Sequence, residues 1–418
     1  MSGRRDALIA VACAACALGV FLANGRLIPT DDAIPARYLP FAILRSHTFY
    51  LDGVDEAPFS RPYFFQHVGG HTVSSYPVGA ALIALPVYAP AVLSGVPMSD
   101  AVARRLEKSA AAVIVAASVG LFFLALRQWA STATSVAIAA VYAFGTSSFS
   151  QSSQALWQHG PAQLAICAAL ALLCRAGRRA GSAAALGACL ALAVVCRPAD
   201  ILIAGPLFLY LAIAGRVRIM ATVLGALVPA AFQLWYGWHY FGNPLHLQWA
   251  PVSAGLWTTP FAQGLAGLLA SPGRGLFIYS PVLMGAIPGA YFAWKDRADR
   301  SFLVLGIGAL LVVMLHARWA MWWGGACYGP RILGDITPVL ALLMVPLVPR
   351  LRSRRPWLAI GLACTLWSVG AHGIGAFCGN ISWNVRVDVD RHPERLWSWT
   401  DNQPVECVRG AAACFFPR

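Results

Sequence analysis

Two adjacent carboxylates are the residues best suited to chemistry in this chain of 418 residues. They are Asp31 and Asp32, which end the segment Pro29-Thr30-Asp31-Asp32 just after the first long apolar run. A positioned carboxylate can act as a general base, while a neighbouring acid orients it or binds a cation or an acceptor hydroxyl. Thr30 or Asp31 could instead cap a following helix, which stabilises by about 1 kcal/mol and needs only one acid. The residues alone do not decide which aspartate would be the base.

Three further segments combine Gly or Pro turns with one cation or imidazole. They are Leu156-Trp157-Gln158-His159-Gly160, Ser271-Pro272-Gly273-Arg274-Gly275-Leu276, and Trp322-Trp323-Gly324-Gly325 with Tyr328-Gly329-Pro330-Arg331. Glycine backbone can approach a ligand closely, and the arginine fork matches phosphate oxygens. We therefore expect phosphate binding by Arg331, Arg274 and His159. We expect substrate contacts from Arg37, Tyr38, Tyr76, Trp157, Trp323 and Tyr328.

Each of these residues also has a structural interpretation. The aromatic residues could belong to a membrane-interface belt, and Arg274 and Arg331 could reach lipid headgroups. Arg331 could instead pair with Asp335, one helical turn later. His159 could be a loop histidine with ordinary partners.

The composition indicates a membrane protein of the all-α class. Hydrophobic residues make up 58% of the chain and charged residues only 11%, whereas soluble proteins carry roughly 25% charged residues. Apolar runs near the length needed to cross a membrane recur without the alternation of barrel strands. We predict a polytopic helical bundle of about eleven spans, near residues 7–27, 106–126, 132–149, 161–175, 181–197, 200–215, 219–237, 277–294, 301–317, 336–349 and 356–377. We expect the first run to be a retained anchor rather than a signal peptide.

The charge distribution predicts an orientation. The net charge of +14 comes from short basic patches between apolar runs, unlike the clustered face of a nucleic-acid-binding protein. With the N-terminus cytoplasmic, six very short cytoplasmic segments carry 15 of the 31 basic residues, and the other 16 are spread over far longer outer loops, as the positive-inside rule requires. The cytoplasmic patches include Arg4–Arg5, Arg175–Arg179 and Arg350–Arg355.

The long loops then face outward, so function is expected there. We divide the chain into a transmembrane domain, 1–377, containing a first outer loop at 28–105, and an outer tail at 378–418. Within that loop we predict a short amphipathic helix at Ile34–Arg45. The apolar stretch Tyr76–Val96 is predicted to lie along the outer interface or re-enter it without crossing, because prolines interrupt it and a crossing would reverse every later loop. Cys327, Cys378, Cys407 and Cys414 would face a compartment that permits disulfides, with their pairing left open.

The chain resembles the GT-C superfamily of membrane glycosyltransferases, such as protein O-mannosyltransferases and lipid A aminoarabinose transferases. In that layout one span precedes a large outer loop, which opens with an acidic pair and contains two juxtamembrane helices. Asp31-Asp32, Ala33–Arg45, Tyr76–Gly95 and Ser109–Leu126 follow this order. The base in the family is usually the first acid, here Asp31. Because the pair is Asp-Asp, Asp32 remains an alternative.

The resemblance implies an inverting glycosyltransferase of the bacterial inner (plasma) membrane, working on its outer face. Its donor would be a polyprenyl-phosphate sugar, hexosyl or pentosyl, and its acceptor an extracytoplasmic glycan, lipid or protein. No cofactor is required by the pattern, and no ligand cluster marks a metal site, although a divalent cation at the acids stays open. The alternative is a transporter or flippase for a lipid-linked precursor. Transporters place charged groups near the midplane of the membrane, whereas these acids gather at one surface.

Overall fold

A computed structural model describes residues 2–28, 30–55, 63–246, 255–378 and 382–415; Pro29 of the acidic segment lies outside them. The fold is mostly helical. Among the described residues, six helices are long and apolar enough to cross a membrane. These are Gly3–Leu22 (the apolar part of helix α1, Ser2–Leu22), Asp100–Leu126, His159–Ala176, Ile219–Phe241, Arg331–Leu351 and Arg355–Phe377.

The predicted count of about eleven spans is not confirmed. Helices do occupy the other predicted spans, but they are shorter or broken. Ser301–His316 has 16 residues, which at 1.5 Å per residue gives about 24 Å, below the roughly 30 Å of a hydrocarbon core. The remaining helices in those spans are Thr132–Phe144, Ala180–Cys196, Ile201–Ile213, Leu276–Tyr279 and Ala286–Lys295.

Short irregular helices connect these elements. Residues Phe261–Ala270 form an α-helix, and the helical segment Arg331–Leu351 is built from several pieces. Its pieces are a 3-10 turn at Arg331–Ile336, an α-helix at Thr337–Leu343, a 3-10 turn at Val345–Leu347 and an α-helix at Val348–Arg352. Further 3-10 turns lie at Pro198–Asp200 and Pro281–Gly285, and a π-helical turn at Ser148–Ser152.

Small residues let the helices approach closely. Gly187 in helix Ala180–Cys196 and Gly225 in helix Ile219–Phe241 face each other across one interface. A methyl group at Gly187 would collide with the Thr222 carbonyl oxygen, and one at Gly225 with that of Ala184. Such contacts are typical of helices that associate within a membrane.

The first long loop, which is predicted to face outward, has a small hydrophobic core of its own. It contains helix α2 (Ile34–Ser46), strands β1 (Phe65–Val68) and β2 (His71–Ser74), and helix α3 (Gly79–Leu93). Phe41 of α2 packs edge-on against Tyr88 of α3, with ring centroids 5.7 Å apart. Helix α3 has 15 residues, about 22 Å of rise, which is less than the thickness of a hydrocarbon core; that this stretch does not cross the membrane stays a prediction.

Two features of this loop differ from the sequence prediction of an all-α protein with a capped helix. The chain is mostly helical, but β1 and β2 form an antiparallel hairpin in which Phe65 faces Ser74. Glycines at the turn, Gly69 and Gly70, adopt positive φ values of 60° and 85°, as a tight hairpin turn requires. Neither Thr30 nor Asp31 caps α2: the N-cap position belongs to Ala33, without a side-chain hydrogen bond.

The tail after helix Arg355–Phe377 folds back onto the protein. It contains a short helix at Ser382–Arg386, a 3-10 turn at Pro393–Trp397 and a helix at Gln403–Phe415. A disulfide joins Cys378 to Cys407, whereas Cys327 is a free, buried thiol. Nothing is described of the Cys414 side chain.

Candidate functional site

The acidic pair lies in the turn between α1 and α2. The Ile34 amide donates to the Asp31 carbonyl oxygen (3.0 Å), and the Arg37 amide to that of Ala33 (2.8 Å). This backbone turn directs the two carboxylates differently. Asp32 is partly buried, whereas Asp31 is exposed, and the Asp31 carboxylate has no hydrogen bond or ion pair with any other described residue.

The hairpin of the first long loop positions two tyrosines on Asp32. Tyr63 precedes β1 and Tyr76 follows β2, and the Ser75 amide extends the pairing by donating to the Phe64 carbonyl oxygen (2.9 Å). Both tyrosine hydroxyls donate to Asp32 Oδ1, each at 2.7 Å. Tyr63 was not anticipated as a site residue, although the Gly69-Gly70 turn between short alternating segments was a signal for the hairpin that carries it.

Arg331 reaches the same carboxylate from the far end of the chain. Its Nη1 forms an ion pair with Asp32 Oδ2, and its Nη2 donates to the Gly324 carbonyl oxygen (2.7 Å). Gly324, Gly325 and Gly329 have φ values of 76°, 70° and 58°, which side chains rarely tolerate. The glycines thus let this backbone wrap closely around the guanidinium, as the sequence suggested.

The two carboxyl groups differ in acidity. Partial desolvation and then the charge of Asp32 raise the pKa of Asp31, against smaller opposing effects of Arg37 and Arg104. Desolvation also acts to raise the pKa of Asp32, but the charge of Arg331 and the hydrogen bonds from Tyr76 and Tyr63 outweigh it and lower that pKa. Such divergence is common where two acids take different catalytic roles.

Trp157 lies beside Arg331. The Arg331 guanidinium carbon is 5.5 Å from the Trp157 ring centroid. Both Arg331 Nε and Trp157 Nε1 are buried, and neither has a hydrogen-bond partner among the described residues. Buried donors are normally satisfied, so these two N–H groups can still donate to a ligand or to water. Trp157 also lines a small cavity together with Ile28, Tyr328 and Gln403.

His159 belongs to a second, adjacent network. Its Nδ1 lies 3.0 Å from Asp335 Oδ1, and Arg197 forms an ion pair with the same carboxylate. Arg197 Nη2 also lies 2.9 Å from His316 Nε2. Asp335 is therefore engaged by Arg197 and His159 and is not the ion-pair partner of Arg331.

Arg274, Trp323 and Tyr328 lie among the glycine-rich segments and the tail. Arg274 is buried, and its contacts are considered separately below. The Trp323 indole donates to Asp390 Oδ1 (2.7 Å), and the Tyr328 hydroxyl donates to the Ala371 carbonyl oxygen (2.7 Å). Asp390, a tail residue absent from the sequence prediction, thereby joins the surroundings of the site.

Arg37 and Tyr38 lie in a different cluster. Buried Arg37 donates through Nε to Glu107 Oε2 (2.6 Å), and the Tyr38 hydroxyl donates to Asp100 Oδ1 (3.0 Å). Glu107 also accepts from the Leu156 amide (3.2 Å). These contacts tie α2 to the segment that carries Trp157, so the structure does not bring Arg37 or Tyr38 directly to Asp32.

No group of three or more His, Cys, Asp or Glu residues that could hold a metal ion occurs within the described part of the chain. Asp32 instead receives its positive partner from Arg331.

Comparison with known proteins identifies the fold. No family model and no curated protein matches the sequence. Among solved structures, ArnT from Cupriavidus metallidurans is similar over 92% of this chain and 65% of its own length, with 15% identity and a TM-score of 0.52. The Archaeoglobus fulgidus oligosaccharyltransferase tethered with an acceptor peptide is similar over 93% and 58%, with 12% identity and a TM-score of 0.51.

The similarity is one of fold, since both identities are low. The chain has a fold similar to those of ArnT and of the oligosaccharyltransferase, in agreement with the layout expected from the sequence. It spans less than two thirds of the length of either structure.

Proposed function

We propose that the protein is an integral membrane glycosyltransferase that moves a sugar from a polyprenyl-phosphate donor to an extracytoplasmic acceptor. The observation that carries this proposal is the Asp32–Arg331 ion pair beside the exposed Asp31. The site thus places the exposed Asp31 carboxylate, which can accept a proton, close to the Arg331 guanidinium, which can bind a phosphate. The GT-C fold supports the proposal because its two similar structures are an oligosaccharyltransferase and ArnT.

In the proposed reaction, Asp31 accepts the proton of the acceptor hydroxyl. The hydroxyl oxygen attacks the anomeric carbon, and the bond from that carbon to the phosphate oxygen breaks with its electron pair remaining on the phosphate. One displacement inverts the anomeric configuration. The raised pKa of Asp31 makes it a stronger base than an ordinary aspartate, which favours this role over the same role for Asp32.

Asp32 has a different role in this proposal. It stays ionised because Arg331 and the two tyrosine hydroxyls stabilise its negative charge. Its carboxylate thereby orients the Arg331 fork, much as a buried acid orients a catalytic partner in other enzymes.

Arg331 and Trp157 are proposed to hold the donor phosphate. Their buried N–H groups, Nε and Nε1, lack partners among the described residues and could donate to two phosphate oxygens. The hydrogen bonds would strengthen as charge develops on the leaving phosphate, which is how fixed donors lower a barrier. His159 would support this place from the neighbouring Asp335 network rather than contact the phosphate.

The location that fits this activity is the bacterial inner membrane, with the site on the extracytoplasmic side. Polyprenyl-phosphate sugars present their sugar at the membrane surface, and the first outer loop and residues 318–335 would meet there. The basic patches that remain on the other side support this orientation.

The test is transfer by purified protein in liposomes from a panel of radiolabelled polyprenyl-phosphate hexoses and pentoses. Membranes of the native host lacking this gene provide the acceptor. We expect transfer from one donor class, with inversion at the anomeric carbon. Movement of intact lipid-linked sugar across the liposome membrane without transfer would instead indicate a flippase.

A further inference from the structure

Arg274 is a buried cation held entirely by neutral oxygens. Its side chain is 1% exposed, and no carboxylate lies within ion-pair distance among the described residues. All five of its N–H groups are used. Nε donates to the Trp323 carbonyl (3.1 Å), Nη1 to Gly273 O (2.9 Å) and Gln403 Oε1 (2.8 Å), and Nη2 to Gly325 O (3.2 Å) and Asn384 Oδ1 (2.8 Å).

Two of these bonds hold the turn on which Arg331 depends. The carbonyl groups of Trp323 and Gly325 flank Gly324, and the Gly324 carbonyl oxygen accepts the 2.7 Å hydrogen bond from Arg331 Nη2. Since the glycines allow many backbone conformations, external bonds are needed to fix the direction of that carbonyl. Arg274 provides them on both sides.

The other bonds attach this turn to the C-terminal tail. Asn384 and Gln403 accept from Arg274, and their amide groups donate to the Cys327 carbonyl oxygen at 3.2 and 2.8 Å. Gln403 also lines the small cavity that Trp157 faces. The Cys378–Cys407 disulfide closes the tail segment that contains both amides.

We propose that Arg274 is a positioning residue, which uses the docked tail to set Arg331 for the donor phosphate. The inference rests on the proposed function and deepens it. It assigns Arg274 a different role from the direct phosphate contact expected from the sequence, because its N–H groups are already occupied. The docked tail then contributes to donor binding through its contacts with Arg274.

Binding of farnesyl phosphate to the purified full-length protein, followed by tryptophan fluorescence, tests the proposal. Lysine keeps the charge of Arg274 but cannot make five bonds in a planar fork. We expect Arg274→Lys to weaken binding by about 10-fold, the scale of one or two charge-assisted hydrogen bonds. Arg331→Ala should weaken it further. The double variant should match Arg331→Ala, because residues that act through one group are not additive.

A purely structural Arg274 would lower the melting temperature and leave the affinity of the folded protein unchanged, and that result would overturn the inference. Arg391→Lys is the matched control, because Arg391 is an exposed tail arginine that pairs with Asp388 and does not contact the Gly324 turn. An equal loss of affinity in this control would also overturn it.

Two further outcomes are distinguishable. If wild-type protein does not bind farnesyl phosphate, the proposed function itself is wrong. If Arg274→Lys does not fold, Gln403→Ala, which removes a single tail acceptor, should still weaken binding measurably; unchanged affinity in that variant would refute the coupling.

Discussion

Arg331 forms an ion pair with Asp32, although the two residues are far apart in the sequence. Asp32 follows the first helix, and Arg331 begins the 3-10 turn Arg331–Ile336. The same carboxylate accepts hydrogen bonds from Tyr63 and Tyr76. Asp31 is left exposed beside this group, with a raised pKa. Asp32 is thus bound to Arg331, and Asp31 is accessible to a substrate.

Replacing Asp32 should change the pH dependence of transfer. The Asp32 charge helps to raise the pKa of Asp31, so Asp32→Asn should lower that pKa. Activity that needs ionised Asp31 is lost as the pH falls through this pKa. The acid limb of the residual rate should therefore move to lower pH. An acid limb that stays in place or moves upward would mean that Asp31 is not the titrating base.

Arg331→Lys should impair transfer despite keeping the charge. Lysine cannot bond Asp32 and Gly324 in a planar fork and still present a third donor, so we expect a loss of about 10-fold or more in kcat/KM for the donor. Thermal unfolding should change little.

Asp335→Asn is the comparison for that variant. The Asp335→Asn substitution weakens the contacts with Arg197 and His159. Because removing one partner of a buried ion pair costs about 3–5 kcal/mol, the free energy of unfolding should fall clearly, whereas the affinity for the donor should change little. If Arg331→Ala and Asp335→Ala lowered stability equally and spared donor binding, the role proposed for Arg331 would be wrong.

Part of this site follows from sequence and part does not. The predicted topology puts residues 318–335, which carry Arg331, on the same side of the membrane as the first long loop, and the glycines beside Arg331 indicated close packing. The alternative partner of Arg331, Asp335, is instead bonded by Arg197 and His159. Helix packing determines these contacts, so the spacing between Arg331 and Asp335 in the sequence could not reveal them. The hairpin was missed although the Gly69-Gly70 turn was a signal for it, because alternation over strands of only four residues is a weak pattern.

The contacts of the tail were beyond sequence reasoning. Asn384 and Gln403 are ordinary polar residues in a polar segment, and only the folded chain shows that both meet Arg274. Similarly, helix lengths could not be read from apolar runs, since irregular turns divide some of them, as in the segment that begins at Arg331.

The disulfide should stabilise the docked tail. Cys378 and Cys407 are 29 residues apart, and closing such a loop is worth about 3–4 kcal/mol in the chain-entropy account. We expect Cys378→Ser, Cys407→Ser or a reductant to lower the melting temperature to a similar extent. Reductant should not lower it further in either variant. A reductant effect that persisted in both variants would have another cause.

The predicted orientation can be tested with an impermeant thiol reagent on intact cells, using single cysteines in an otherwise cysteine-free chain. A cysteine at Thr400, an exposed position of the tail, should react, and one at Arg352 should react only after the membrane is opened. Labelling at position 352 and not at position 400 would reverse the topology and move the site to the cytoplasm.

The central claim is that Asp31 is the base of a sugar transfer from a polyprenyl phosphate. Its most direct test is the transfer rate of purified Asp31→Asn with the donor that wild-type protein uses. Asp52→Asn is the matched control, because Asp52 is another exposed acid of the same loop, paired with His71. We predict a loss of about 100-fold or more for Asp31→Asn, the scale of a missing general base, and a near-normal rate for Asp52→Asn. Wild-type transfer by folded Asp31→Asn would contradict the account.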